Sequence, residues 1–155
     1  MLADSRQRAH QNKAQKFIRE AQELVASHPD MSIVCSFYAL YHALSYSIRN
    51  ADIWDGDISF LRKRRPDIRP EDRDATHHSS SIRHGRGPGV RDLVRLFFPN
   101  TIVEVYEELH DASIDVRYIS EPGRILPSAR DAYADARLIV DKALAGTIMY
   151  RDGVG

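Results

Sequence analysis

The segment from Ile33 to Ile48 constrains the fold of this chain more than any other, because apolar side chains occupy nearly every side of it at helical spacing. One apolar stripe along it consists of Ile33, Phe37, Leu40, Leu44 and Ile48. A helix that is apolar all round is surrounded by other elements of the protein. We therefore predict a central, buried helix from about residue 32 to residue 49.

A second stripe on the same helix is polar, with spacings of four, three and four residues, and consists of Tyr38, His42, Ser45 and Arg49. This spacing places the four residues on one face of a helix. Buried polar groups need hydrogen-bond partners. Two interpretations stay open: the side chains satisfy one another inside a bundle, or they line a polar site that opens on this face.

Apolar residues at intervals of three and four predict four further helices. These cover about residues 6–27, 90–98, 101–118 and 129–145. No stretch alternates with a period of two for long enough to propose a strand. The sequence therefore predicts an all-α fold, an up-and-down bundle of four to five helices.

Local signals predict where these helices begin and end. Pro29 ends the first helix, because proline cannot continue the hydrogen-bond ladder. Thr101 and Glu104 have the spacing of a capping box at the start of the fourth helix. Ser128 is the predicted N-cap of the last helix, and Gly146 its predicted end.

The length of 155 residues, with 43% of them apolar, suits one domain with a single core. We predict that this domain covers residues 1–150 and that residues 151–155 form a frayed tail. Between the second and third main helices, residues 50–89 are rich in proline, glycine and arginine and predict a long loop with one short helix near 58–64. Such a long connection is usually functional or disordered in isolation.

Charge is unevenly distributed along a chain whose formal net charge is zero. Residues 62–100 carry ten cations and five anions, a net charge of +5, whereas residues 1–61 carry −1 and residues 101–155 carry −4. Two copies with opposite charges facing would attract each other, so a homodimer is expected. No Phe, Tyr or Trp lies between Leu61 and Leu96, so nucleic-acid contacts there would be made to the backbone.

A glycine-rich turn before the third helix is a candidate anion site. Glycines let backbone amides approach a ligand, and a helix N-terminus directs free amides outward. The arginines that surround this turn are Arg83, Arg86, Arg91 and Arg95. Phosphate, either free or in a nucleic-acid backbone, would suit such a site, whereas the alternative is a solvated loop without a ligand.

The sequence motifs of several enzyme classes are absent from this chain. The chain has no phosphate-binding loop with Lys and Ser/Thr, no paired histidines flanking a Glu and no nucleophile-elbow serine. A single cysteine, Cys35, fits a reducing, cytoplasmic location. The histidines of the long loop lack a Cys or carboxylate to complete a metal site. We therefore predict no metal, no cofactor and no membrane span.

Short motifs in the predicted helices resemble those of the HEPN superfamily. The motifs are His10-Gln-Asn-Lys13, Phe37-Tyr38-Ala39-Leu40-Tyr41-His42, the turn and helix from His84 to Arg95, Tyr106-Glu-Glu-Leu109, and Ser113 to Tyr118. The resemblance covers roughly residues 8–145. It implies a four- or five-helix bundle that is often dimeric.

The resemblance also implies a function. Many HEPN proteins are metal-independent ribonucleases of toxin–antitoxin, CRISPR-associated or antiphage systems, and others are non-catalytic modules that bind a nucleotide or a protein partner such as an antitoxin. The family's nuclease signature is Arg followed by His after four to six residues on a helix. It is matched here only by Arg73 and His78, which fall in the long loop, so we do not transfer the catalytic role to this pair.

The candidate catalytic residues are instead His42, His84 and Arg117. A histidine near neutral pKa can accept the proton of an RNA 2′-hydroxyl, and an arginine can stabilise the charge that grows on the phosphate. Supporting roles are assigned to His10, Tyr38 and Tyr118. We interpret His110 as a surface or interface histidine, which is also the alternative for His10. We expect Asp111, Asp115 or a first-helix residue to pair with Arg117.

Overall fold

The fold was determined from a computed structural model that describes residues 5–76, 87–118 and 125–154. The described residues form helices and no strand, which confirms the all-α prediction. The α-helices are α1 (Ser5–Leu24), α2 (Pro29–Asn50), α3 (Ser59–Arg64), α4 (Val90–Phe97), α5 (Asn100–Arg117) and α6 (Ala129–Ala145). Two short 3₁₀ helices cover Asp52–Asp55 and Pro70–Asp74.

Helix α2 is the centre of the fold, as its apolar sequence predicts. Thirteen of its 22 residues are buried, and it contacts α1, α4, α5, α6 and the second 3₁₀ helix. Leu40 and Leu44 are completely inaccessible to solvent, as are the small residues Ala39 and Ala43. The other helices therefore pack around α2, and α2 positions any side chain that projects between them.

The helix ends agree with the sequence signals in part. Ser128 caps α6, where its Oγ accepts the backbone N–H of Asp131 at 3.1 Å, and Gly146 ends that helix in the left-handed conformation at φ 74°. The capping box at Thr101 is wrong, because α5 begins one residue earlier and Pro99 occupies the N-cap position. Pro29 not only follows α1 but opens α2, because its missing N–H costs nothing in a first helical turn.

The predicted loop at residues 50–89 is more ordered than expected over residues 50–76. The short helix near 58–64 is confirmed as α3, but the two 3₁₀ helices were not predicted. This segment contributes Trp54, Ile58, Leu61 and Ile68 to the hydrophobic core. The indole of Trp54 donates a hydrogen bond of 2.7 Å to the carbonyl of Ile48, which holds the segment against the end of α2.

The C-terminal residues 151–154 differ from the predicted frayed tail. The backbone N–H of Arg151 donates to the carbonyl of Phe97 at 2.7 Å, and the side chain of Val154 is fully buried. Gly153 has a φ of 86°, and a β-carbon there would lie 2.9 Å from the ring of Phe60. The tail is thus packed against α3 and the end of α4 through residues with no periodic pattern.

Buried hydroxyl groups in α2 allow a paired test of this packing. Ser32 Oγ donates to the carbonyl of Ala21 at 2.6 Å, whereas Ser45 Oγ is buried and has no hydrogen-bond partner among the described residues. We expect Ser45→Ala to raise the free energy of unfolding by about 1 kcal/mol and Ser32→Ala to lower it by about 1 kcal/mol. Urea denaturation measures both changes, and destabilisation by both substitutions would contradict this account.

Candidate functional site

A cavity of about 350 Å³ lies between α2 and α5 and opens beside the end of the second 3₁₀ helix. Its lining is aromatic and basic and consists of Phe37, Tyr38, Tyr41, His42, Thr76, His110 and Arg117. Tyr38, Tyr41 and His42 lie on successive turns of α2, while His110 and Arg117 lie two turns apart on α5. The structure therefore brings two histidines and one arginine into one cavity.

His42 is held by α1. Its Nδ1 lies 3.0 Å from Nδ1 of His10, and the ring of Phe17 is parallel to the His42 ring with centroids 5.8 Å apart. A hydrogen bond between two Nδ1 atoms requires that one carries hydrogen and the other a lone pair. Only one of the two Nδ1 atoms can carry hydrogen while this bond is made, so the pair cannot hold two positive charges without breaking it.

The pKa values of both histidines are shifted accordingly. The pKa of His42 is lowered to about 4, first by burial and then by the neighbouring His10 and Lys13. Burial also lowers the pKa of His10, with contributions from Arg49 and Lys13. At neutral pH His42 is therefore an uncharged imidazole, the form that can accept a proton.

Arg117 is positioned by neutral groups. Its Nε donates to the carbonyl of Ser113 at 3.0 Å, and one terminal nitrogen donates to the hydroxyl of Tyr38 at 2.7 Å. The expected carboxylate partner is not found, because no Asp or Glu of the described chain lies within ion-pair distance of this guanidinium. Within residues 5–76, 87–118 and 125–154, the positive charge of Arg117 is thus fixed in direction without being neutralised, as an anion-binding group requires.

His110 belongs to the cavity although the sequence indicated only a surface or interface position. Its ring lies 5.2 Å from the ring of Phe37, between centroids. Burial lowers the pKa of His110, Asp111 beside it raises the pKa, and the charges of Arg91 and Arg117 lower it. An anion bound near these arginines would cancel their effect. The pKa of His110 would then rise towards its ordinary value of 6.5.

The sequence left two interpretations of the polar stripe of α2 open, a site or mutual satisfaction inside the bundle, and each applies to a part of the stripe. Tyr38 and His42 open on the cavity. Arg49 pairs with Asp74, and Ser45 stays buried away from the site. The first two residues thus form a site, whereas Arg49 is satisfied within the fold.

The predicted anion site before α4 is altered by neighbouring carboxylates. Glu107 accepts a hydrogen bond of 2.7 Å from Nε of Arg95 and lies 3.4 Å from Nε of Arg91. Asp92 accepts the backbone N–H of Gly89 at 3.0 Å and so occupies the N-terminus of α4. Arg91 and Arg95 therefore act first as partners of Glu107. The other predicted anion ligands, Arg83 and Arg86, lie outside the described residues, as does His84.

Two aromatic residues border Thr76 and Arg117 of the cavity lining. The hydroxyl of Tyr41 donates to the backbone carbonyl of Thr76. Tyr118, the residue after Arg117, is 66% exposed, and the guanidinium carbon of Arg117 lies 5.8 Å from its ring centroid. An aromatic face beside a cation is thus accessible to solvent at the end of α5.

Sequence reasoning missed two titratable side chains of the site, Tyr41 and His110, besides Phe37 and Thr76. The first two could have been found by helical spacing: Tyr41 follows Tyr38 by three residues, and His110 precedes Arg117 by seven, which is two turns. That α2 and α5 bring these residues to one cavity has no signal in one sequence.

No metal site is evident within residues 5–76, 87–118 and 125–154, where no group of three or more His, Cys, Asp or Glu side chains converges. In the same ranges, none of the helices combines the length and the apolar character that a membrane span needs.

No family model, curated protein or solved structure matches this chain. A proposal about function therefore depends on the chemistry of the cavity.

The histidine pair makes stability dependent on pH. Because the pKa of His42 falls from 6.5 to about 4 on folding, the unfolded chain binds its proton first as the pH is lowered. Above pH 6.5, protonation of His42 should leave the free energy of unfolding unchanged. Between pH 6.5 and pH 4, it should lower this free energy by about 2–3 kcal/mol. Urea denaturation at a series of pH values measures this loss.

The matched variants are His42→Gln, which removes the titrating group, and His28→Gln, which changes an exposed histidine after α1. The pH dependence should flatten in the first variant and persist in the second. An unchanged profile in His42→Gln would contradict the assignment.

Proposed function

We propose that this chain is a HEPN-like, RNA-directed protein that cleaves RNA without a metal ion, of the kind found in toxin–antitoxin and antiphage systems. The observation that supports cleavage is the convergence of His42, His110 and Arg117 on one cavity. The motif resemblance supports the HEPN-like assignment and the biological setting.

The proposed reaction is an internal transfer at the phosphate. His42, uncharged at neutral pH, accepts the proton of the 2′-hydroxyl, and the 2′-oxygen forms a bond to phosphorus. The bond from phosphorus to the 5′-oxygen breaks, and His110 in its protonated form donates a proton to that oxygen. The products are a 2′,3′-cyclic phosphate and a free 5′-hydroxyl, so atoms and charge balance without a metal.

Arg117 stabilises the reaction by its charge. Negative charge grows on the non-bridging phosphate oxygens, and a fixed guanidinium nearby lowers the energy of that state. Tyr38 is a positioning residue, because its hydroxyl accepts a hydrogen bond from Arg117. The 2.7 Å bond between them links α2 to α5 across the mouth of the cavity.

The test is cleavage of labelled single-stranded RNA by the full chain in the presence of EDTA. We expect fragments that end in a 2′,3′-cyclic phosphate, and no cleavage of a matched oligonucleotide with 2′-deoxyribose at the cleaved position. A variant with His42, His110 and Arg117 all replaced should be inactive. Equal activity of this variant and the native chain, or complete inhibition by EDTA, would refute the proposal.

A second candidate function is that of a non-catalytic module that binds a nucleotide or a protein partner. The observation that favours it is the engagement of His42 Nδ1 by His10, together with a pKa of about 4, which makes His42 a weak base. Calorimetric titration with nucleoside monophosphates separates the two candidates. Binding that is lost in Arg117→Ala, without cleavage of any RNA by the native chain, would support the second.

A further inference from the structure

A second hollow, remote from the cavity, is apolar. It has a volume of about 330 Å³ and lies between the first turns of α5 and the second half of α6. Its apolar walls include Ile102, Val105, Leu138, Ile139, Ile148 and Met149. We call it the α5–α6 groove. None of its residues lines the cavity of the proposed active site, so a role for this groove goes beyond the proposed function and does not rest on it.

Large apolar side chains are exposed along this groove. Leu138 is 60% exposed and Met149 is 72% exposed. Scattered apolar residues on a surface need no explanation, but these two border one apolar hollow that the charged residues Asp135 and Lys142 also line. Leu138 lines the groove and is itself largely exposed, so this face offers both an accessible apolar side chain and an apolar hollow.

The charges on the rim have a symmetric arrangement. Asp135 and Lys142 both line the groove, and the midpoint between them along α6 falls between Leu138 and Ile139. Each charge therefore lies about 5 Å along the helix axis from this midpoint, at a rise of about 1.5 Å per residue. The two charges have opposite signs.

This arrangement is complementary to itself. If two copies of α6 pack antiparallel about a two-fold axis at the midpoint, Asp135 of each copy faces Lys142 of the other. The same operation directs Leu138 of each copy towards the groove of the other. A ligand of one charge sign would instead meet a like charge at one end of the groove.

We propose that the α5–α6 groove is the interface of a homodimer, in which two copies of α6 pack antiparallel and Leu138 of each copy enters the groove of the other. Both the apolar surface and the charge pattern are satisfied by this occupant. This interface differs from the one that the charge distribution alone predicts, in which the basic segment at residues 62–100 faces an acidic segment of the other copy.

Exchange of charges tests the register of this interface. Asp135→Lys places two lysines of one copy opposite two lysines of the other, and Lys142→Asp does the same with aspartates. Each variant alone should dimerise at least tenfold more weakly than the native chain in sedimentation equilibrium. A mixture of the two variants should form a heterodimer with affinity near that of the native chain, because lysines then face aspartates at both contacts.

Two further variants complete the test. Leu138→Arg should abolish the dimer while leaving the helical circular dichroism signal and the melting temperature of the monomer unchanged. Glu23→Lys, an exposed charge reversal on α1, is the matched control and should dimerise normally. A native chain that stays monomeric at millimolar concentration, a dimer that persists in Leu138→Arg, or variants that do not recombine would overturn the proposal. Binding of a different protein by a chain that remains monomeric would also overturn it.

Discussion

Replacing His42 with Asn is expected to lower the rate of RNA cleavage by about 10²–10⁴-fold, the usual contribution of a general base. Asparagine has a similar size and keeps a polar group facing His10, but it cannot accept and release the proton of the 2′-hydroxyl. The loss should appear in kcat more than in KM, because substrate contacts with Arg117 remain. Single-turnover cleavage of labelled RNA measures it.

Two controls separate chemistry from folding in this experiment. His28→Asn changes an exposed histidine outside the cavity and should retain full activity. His10→Asn removes only the partner of His42. It should lower activity less than His42→Asn does and move the acidic limb of the pH–rate profile, which a purely structural role would not do. Full activity in His42→Asn would exclude this histidine as the base.

Replacing Leu40 with Ala is expected to lower the free energy of unfolding by about 2–5 kcal/mol. Leu40 is completely buried at the centre of α2, so the lost methyl groups leave a cavity that the surrounding helices cannot close without moving. Domains of this kind have a total stability of about 5–15 kcal/mol, so the change is a large share of it. Urea denaturation at neutral pH measures the difference.

The matched control for Leu40 lies on the same helix. Met31 is 49% exposed, and Met31→Ala should change the free energy of unfolding by about 0.5 kcal/mol or less. If both substitutions cost the same, α2 is not the centre of the core. A loss much smaller than about 2 kcal/mol for Leu40→Ala would have the same meaning.

The long helices could be predicted from the sequence because each carries several turns of apolar periodicity. The 3₁₀ helices at Asp52–Asp55 and Pro70–Asp74 could not, because one turn holds too few residues to show a period. The packing of Val154 was missed for a related reason: a lone apolar residue gives no indication of what it contacts. Pro29 was assigned only as a helix stop, although proline is equally suited to a first helical turn.

The site could be predicted by residue type but not by arrangement. His42, Tyr38 and Arg117 were all identified from the sequence, since the spacing along α2 and α5 places them on defined faces. Which faces meet depends on tertiary packing, and it decides that Arg117 pairs with Tyr38 of α2. The same packing brings His110 to the cavity and leaves Arg91 and Arg95 beside Glu107.

The helices that form the cavity also determine when it can exist during folding. The hydrogen bond between His10 and His42 joins positions 32 residues apart, and the bond between Tyr38 and Arg117 joins positions 79 residues apart. Contacts between distant positions form only after the entropy of closing long chain loops has been overcome. The individual helices can therefore appear before the cavity is assembled. A chain emerging from the ribosome carries His42 long before it carries Arg117, so the cavity cannot be complete until synthesis has passed α5.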